Sequence, residues 1–203
     1  RTGTYKHILL VGAEVQSTAL NLTDEGREVS VLFGDGAGAA VVSATEEDRG
    51  VISTHLHSQG EFAKELCAPL PSTAKQPWIS AEDIEQGRHH PIMNGREVFR
   101  HAVNRFPEVI REALEANGIT TQDLKMIIPH QANIRITLEV ARRLKIPPEM
   151  VFSNIHKYGN TTAASIPIAL SEVLAEGLIE QGDYIVLAAF GAGFTWASAL
   201  LKW

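Results

Sequence analysis

Two residues in the second half of this sequence could each act on developing negative charge. His130 lies in Ile127-Ile-Pro-His-Gln-Ala-Asn133, where a short apolar run ends and an amphipathic segment begins. Asn160 lies in Tyr158-Gly-Asn-Thr-Thr162, ahead of a second helical pattern for which Thr161 or Thr162 is a natural N-cap. A third segment, Phe190-Gly-Ala-Gly193, is a turn of small residues, and such turns let a ligand approach backbone N–H groups closely. An imidazole donates or accepts a proton near neutral pH, whereas a carboxamide donates hydrogen bonds without ionising. Singly, each segment has a plain alternative: a hydrogen-bonded structural histidine, a loop leading to a helix cap, a hairpin turn. Their occurrence together at equivalent strand ends points to chemistry, because α/β sheets gather functional groups at the carboxyl ends of strands.

The elements that must position these groups are legible from hydrophobic period. His7–Ala13, Val29–Phe33, Ala37–Val42 and Val51–His57 read as strands, followed by an irregular stretch from Ser58 to Ser80. Arg96–Ala116 has helical spacing, with a kink expected at Pro107 and a stop at Asn117-Gly118. Strands and helices then alternate: strand Lys125–Pro129, helix Ala132–Leu144, strand Met150–Ile155, helix Thr162–Glu176, strand Tyr184–Phe190 and closing strand Trp196–Trp203. The alternation implies an α/β sheet with helices on its faces. There is also an internal echo. An apolar strand and a Phe-Gly-x-Gly turn leading to a small-residue strand occur near both ends, at Phe33-Gly-Asp-Gly36 and at Phe190-Gly-Ala-Gly193, which suggests a duplicated fold whose first copy is incomplete.

Composition narrows the function classes. The 203 residues are 44% hydrophobic and 21% charged, ordinary values for a globular domain, with no apolar run long enough for a membrane helix. A net charge of -6 argues against a nucleic-acid binder, which needs a basic surface. The single cysteine, Cys67, excludes an internal disulfide framework and fits a reducing, cytoplasmic compartment. The sequence opens on Arg1 and runs at once into a strand with no pairing partner before it, so it reads as a fragment or as one piece of a larger assembly.

Three segments, His130-Gln-Ala-Asn-Ile-Arg-Ile136, Tyr158-Gly-Asn-Thr-Thr-Ala-Ala-Ser165 and Phe190-Gly-Ala-Gly-Phe-Thr-Trp-Ala-Ser198, resemble the C-terminal signatures of β-ketoacyl-ACP synthase III, a thiolase-fold condensing enzyme. Tyr5-Lys-His-Ile-Leu9 and Phe33-Gly-Asp-Gly-Ala-Gly-Ala39 are similar to that family's middle section. The resemblance covers essentially the whole chain. It implies a layered αβαβα architecture with residues 1–57 as the remainder of the first half and 58–203 as the second. It also implies a decarboxylative Claisen condensation of malonyl-ACP with an acyl-CoA primer, initiating fatty acid synthesis with no cofactor and no metal.

On that resemblance His130 and Asn160 hydrogen-bond the malonyl thioester carbonyl, and the Ala192 N–H contributes to an oxyanion hole. Met93, Gly95 and Phe99 would line one wall of the pantetheine tunnel and Ala132, Asn133 and Ile136 the other, with Phe190 and Gly191 also touching substrate. Phe99 and Ile136 read equally as core packing. Arg135 would help dock the acyl carrier protein, and a homodimer is implied.

The family's nucleophilic cysteine has no match here. Cys67, in Leu66-Cys-Ala-Pro-Leu-Pro71, lies in an expected loop with nothing to lower its pKa, and reads as a bystander. The chain alone is therefore expected to be inactive in condensation, its partner being a segment that carries the cysteine. A second reading makes it a non-catalytic or partner subunit of a related polyketide- or quinolone-type priming synthase. Gly34-x-Gly36-x-Gly38 is a poor phosphate loop, lacking a following helix and a lysine. His55-x-His57 and His89-His90 lack a third metal ligand at plausible spacing.

Overall fold

A computed structural model describes residues 3–203; the start of the lead-in, Arg1 and Thr2, lies outside it. The strands in chain order are β1 (His7–Glu14), β2 (Gly36–Ser43), β3 (Gly50–Ser58), β4 (Leu66–Cys67), β5 (Ile92–Met93), β6 (Leu124–Pro129), β7 (Tyr184–Gly191) and β8 (Thr195–Lys202). The helices are α1 (Arg27–Ser30), α2 (Ala81–Glu85), α3 (Gly95–Glu115), α4 (Ile134–Leu144), α5 (Ile155–Tyr158) and α6 (Ser165–Ala175). No described helix is long and apolar enough to cross a membrane.

The principal sheet runs β3-β8-β7-β6, with β6 parallel to β7 and β8 antiparallel to both its neighbours. Its two faces are buried differently. On one side α3 and α4 cover it, through Phe106, Val109, Ile110, Val140 and Leu144 against Ile127, Val186 and Leu200. On the other, Ala169 and Val173 of α6 pack on Met126, Ile128 and Ile185. Burial on both faces explains why β6 and β7 read as continuous apolar runs rather than alternating ones.

Several expectations change in detail. Val29–Phe33 is not a strand: Arg27–Ser30 forms one helical turn, and only Phe33 pairs, through an isolated bridge to Asn160. Met150–Ile155 likewise contributes just the Val151 bridge to Ile127. The helix over 95–115 runs through Pro107 as one element, since the burial of Phe106, Val109 and Ile110 outweighs one lost ladder bond. Neither Thr161 nor Thr162 caps a helix with its side chain; a single 3₁₀ turn over Thr162–Ala164 leads into α6 instead. Sequence reading set β3 with the first half at a 57/58 boundary, whereas its pairing with β8 puts it in the second sheet.

β1 and β2 form a separate antiparallel pair, with Gly12 opposite Gly38. One face of this pair carries the 160–168 segment. A Cβ on Gly12 would lie 2.5 Å from the Ala163 carbonyl oxygen, and one on Gly34 would lie 2.1 Å from that of Tyr158. A Cβ on Gly36 or Gly38 would lie 2.9 Å from Thr161 or Pro167, so the glycines judged a poor phosphate loop from sequence are packed against the protein's own chain. Elsewhere Leu9, Leu10 and Val11 of β1 and Val41 of β2 are exposed.

Gly12→Ala is therefore expected to destabilise the protein by about 1–3 kcal/mol through overpacking. Gly60→Ala, where a Cβ meets nothing within 4 Å, serves as the near-neutral control. Urea unfolding of the two variants compares them directly.

Candidate active site

His130 is delivered by the end of β6. Its backbone N–H bonds the Ala188 carbonyl of β7 at 2.7 Å, extending the parallel ladder one residue beyond the strand. Gln131, fully buried, then braces the turn. Its Nε2 donates to the Pro129 and Phe152 carbonyls (2.8 and 3.2 Å), and its Oε1 accepts from Ser153 Oγ and the Asn154 N–H (3.1 Å each). Asn154 in turn donates to Glu172 of α6, which also takes the Tyr158 hydroxyl (2.6 Å) and Lys157 (3.2 Å). The strand end bearing His130 is thus tied to the α5 segment that leads into Asn160.

Asn160 is fixed by backbone and side chain together. Its N–H donates to Leu32 O at 2.8 Å, and its carbonyl accepts from the Gly34 N–H at 3.0 Å. Its Oδ1 accepts from the Thr162 N–H at 2.9 Å, which assigns the orientation of the amide. The Nδ2 group makes no side-chain hydrogen bond among the described residues and remains a donor for the cavity. Thr162 holds a φ of +45°, a left-handed conformation that a β-branched residue seldom adopts. His130 Nδ1 lies 2.6 Å from Ser165 Oγ at the start of α6. Burial pushes the His130 pKa down to about 4, against a smaller upward pull from the Thr162 backbone, so the imidazole is neutral at physiological pH.

The third wall is the turn between β7 and β8. Thr195 Oγ1 donates to the Ala192 carbonyl at 3.0 Å. Below the turn, buried Phe194 stacks on Phe62 at 5.2 Å and meets Phe190 at 4.9 Å.

His130, Asn160 and Ala192 line one cavity of about 1390 Å³. All twelve residues singled out from sequence border it: the tunnel candidates Met93, Gly95, Phe99, Ala132, Asn133 and Ile136, then Arg135, Phe190 and Gly191 complete the set. Ile136 is buried, so it serves the core as well as the wall, while Phe99 packs against the core from its edge. Arg135 rests 5.5 Å from the Phe99 ring and has no acidic partner among the described residues. Arg142 and Arg143, by contrast, are both engaged by Glu139 at 2.7 Å. Cys67 is not in a loop: it pairs with Ile92 in the β4–β5 ribbon, on the cavity wall. Among the described residues no group of three His, Cys, Asp or Glu could hold a metal. His55 and His57 instead share the Glu112 carboxylate, at 3.3 and 2.6 Å.

Two models of one family match the chain: 3-oxoacyl-[acyl-carrier-protein] synthase III over residues 1–60, and its C-terminal model over residues 114–203. The chain belongs to the 3-oxoacyl-ACP synthase III family. It is 45% identical over 202 residues to the β-ketoacyl-[acyl-carrier-protein] synthase III of Caldanaerobacter subterraneus, covering 100% of this chain and 60% of that protein. The chain thus spans about 60% of the length of this curated relative. The 3-oxoacyl-[acyl-carrier-protein] synthase III structure from Aquifex aeolicus superposes with a TM-score of 0.87 at 41% identity, covering 100% of this chain and 59% of that one. The priming β-ketosynthase of the R1128 polyketide pathway gives 0.85 at 37% identity, over 98% and 58%. The thiolase-like α/β fold expected from sequence is therefore the synthase III fold.

Sequence reasoning missed the supports of this candidate site. Ser165 and Gln131 were not singled out, and Thr162 was considered only as a cap. One signal was available for Ser165: it is a lone hydroxyl opening the apolar stretch Ile166-Pro-Ile-Ala-Leu170.

The low His130 pKa has a consequence for stability. Because the folded state binds that proton less readily than the unfolded chain does, its contribution is complete above the ordinary value of 6.5 and is lost as pH falls toward 4. His101, also lowered mainly by burial, acts in the same direction. Urea titrations between pH 7 and roughly 4.5 should show stability declining with acid, with a shallower decline in His130→Gln.

Proposed function

We propose that this chain supplies the decarboxylating half of a condensing site, acting on a malonyl thioester and an enzyme-bound acyl group to begin fatty acid synthesis. The observation carrying this reading is the fixed amide of Asn160: with Oδ1 held by Thr162, its Nδ2 donor lines the same cavity as a neutral imidazole. In the proposed reaction the thioester carbonyl oxygen accepts from Asn160 Nδ2 and from His130 Nε2. As carbon dioxide leaves, the electron pair of the breaking C–C bond moves into the enolate, and its charge falls on that oxygen. The enolate carbon then attacks the acyl thioester, the Ala192 N–H bonds the resulting oxyanion, and the thiolate departs when the carbonyl re-forms. Neutrality suits both donors, since a shielded site favours preorganised dipoles over groups that must ionise.

The acyl-bearing cysteine of this reading lies outside the 203 residues, on protein that covers the exposed aliphatic side chains of β1. Cys67 stays a bystander, and a second copy of the enzyme and an acyl carrier protein are the partners. In the assembled enzyme, His130→Ala and Asn160→Ala should each slow malonyl decarboxylation by roughly 10²–10³-fold, the typical effect of removing one oxyanion donor. Acylation of the cysteine, followed as a burst of released CoA, should fall far less; equal losses in both half-reactions would sink the assignment.

Arg135, an exposed residue of the cavity lining with no acidic partner among the described residues, fits docking of an acidic carrier protein. Arg135→Glu should raise KM for malonyl-ACP several-fold while leaving KM for malonyl-pantetheine nearly unchanged. A polyketide priming role is the second reading, favoured by the R1128 likeness. Competition between acetyl-CoA and longer acyl-CoA primers separates the two.

A further inference from the structure

The hydrogen bonds around Ser165 fix where the His130 proton resides. Three groups surround the Ser165 hydroxyl: the Thr162 carbonyl at 2.8 Å, the Gln131 N–H at 3.3 Å and His130 Nδ1 at 2.6 Å. A carbonyl only accepts, so the single hydroxyl proton points at Thr162. A backbone N–H only donates, so Gln131 uses one lone pair of the oxygen. The third contact is satisfied only if Nδ1 carries its proton and donates to the remaining lone pair. All three bonds are then made, and Nε2 presents a lone pair. The alternative tautomer requires the hydroxyl to turn from Thr162 to Nδ1, so the Thr162 carbonyl loses that donor while keeping the Ser165 N–H. That arrangement makes one bond fewer.

A lone pair on Nε2 cannot donate to a thioester carbonyl, which is the role the proposed function gives it. We propose that Ser165 is a positioning residue that switches the His130 tautomer: its hydroxyl holds Thr162 in the resting bonding pattern and rotates to Nδ1 when a thioester carbonyl arrives at Nε2. The proton balance is simple. The Nδ1–H bond breaks and its proton passes to water; an Nε2–H bond forms with a proton taken from water; the serine keeps its own proton and changes only its acceptor. Net charge is unchanged throughout. Ser165 is almost fully buried, so no other solvent group competes for its proton. The inference rests on the proposed function for its second state only, since the resting tautomer follows from the bonding pattern alone.

The test uses the assembled enzyme labelled with ¹⁵N-histidine, in which two-bond ¹H–¹⁵N correlations identify the protonated ring nitrogen; His130→Gln assigns the signal. The probe is the carba(dethia) analogue of acetyl-pantetheine, a methyl ketone that can neither acylate nor decarboxylate. Wild type should show Nδ1–H before the probe and Nε2–H after it. Ser165→Ala takes away the acceptor that holds the proton on Nδ1, so it should no longer be purely Nδ1–H before the probe. With no hydroxyl left to donate to Nδ1 in the second state, its malonyl decarboxylation should fall roughly 10- to 100-fold, the scale of a mispositioned proton-transfer group, with cysteine acylation unchanged. The other histidine signals report whether the variant is folded. An Nε2–H imidazole in wild type before the probe overturns the inference without touching the proposed function. The same holds if Ser165→Ala switches as wild type does. Loss of decarboxylation in neither His130→Ala nor Asn160→Ala overturns the proposed function and leaves the resting tautomer standing.

Discussion

The site depends on one peptide segment, the backbone of Thr162. Its N–H holds the Asn160 carboxamide oxygen, and its carbonyl takes the Ser165 hydroxyl that meets His130. Both requirements are met by a φ of +45°, at a cost on the order of 1–3 kcal/mol for a non-glycine residue. The conformation persists because its surroundings leave little alternative: Asn160 is bonded on both sides to 32–34, Ala163 presses against Gly12, and Ser165 enters α6 at once. Strain at this residue is thus the means by which one short turn orients two side chains that arrive from different elements.

A second layer keeps the two sides in register. Gln131 uses all four of the hydrogen bonds described above to join the end of β6 to residues 152–154, and Asn154 passes the connection to Glu172. A fully satisfied buried network of this kind rigidifies its surroundings, whereas a partly satisfied one is destabilising. His130 therefore does not depend on the cavity for its orientation. Its backbone belongs to the sheet, and its ring is held from behind.

Much of this was legible in the sequence, and for definite reasons. β6 and β7 were readable because burial on both faces writes an unbroken apolar run, and α3 because its stripe repeats at helical spacing across Pro107. His130 and the Phe190–Gly193 turn were singled out as unusual residue types at a strand end, whereas Asn160, expected at a strand end, follows the helical turn of α5. What could not be read belongs to pairs distant in sequence. Ser165 gains meaning only beside His130, 35 residues away in the chain. Gly34-x-Gly36-x-Gly38 was set aside as a phosphate loop for want of a following helix and a lysine, but its packing role could not be read, because nothing in a linear pattern marks room for another part of the same chain. Val29–Phe33, which overlaps the one-turn helix at 27–30, was read as a strand for a related reason: a short apolar run carries no period of its own.

The glycine face of β1 and β2 has a further mechanical consequence. At Gly12 the pair meets the Ala163 main chain with no side chain between them to act as a cushion, while its outward side bears Leu9, Val11 and Val41. Any load placed on those aliphatic groups is transmitted through a single layer of main chain to Ala163 and its neighbours. The stiffness of the Asn160 amide is therefore set partly from outside, by whatever rests on this thin plate.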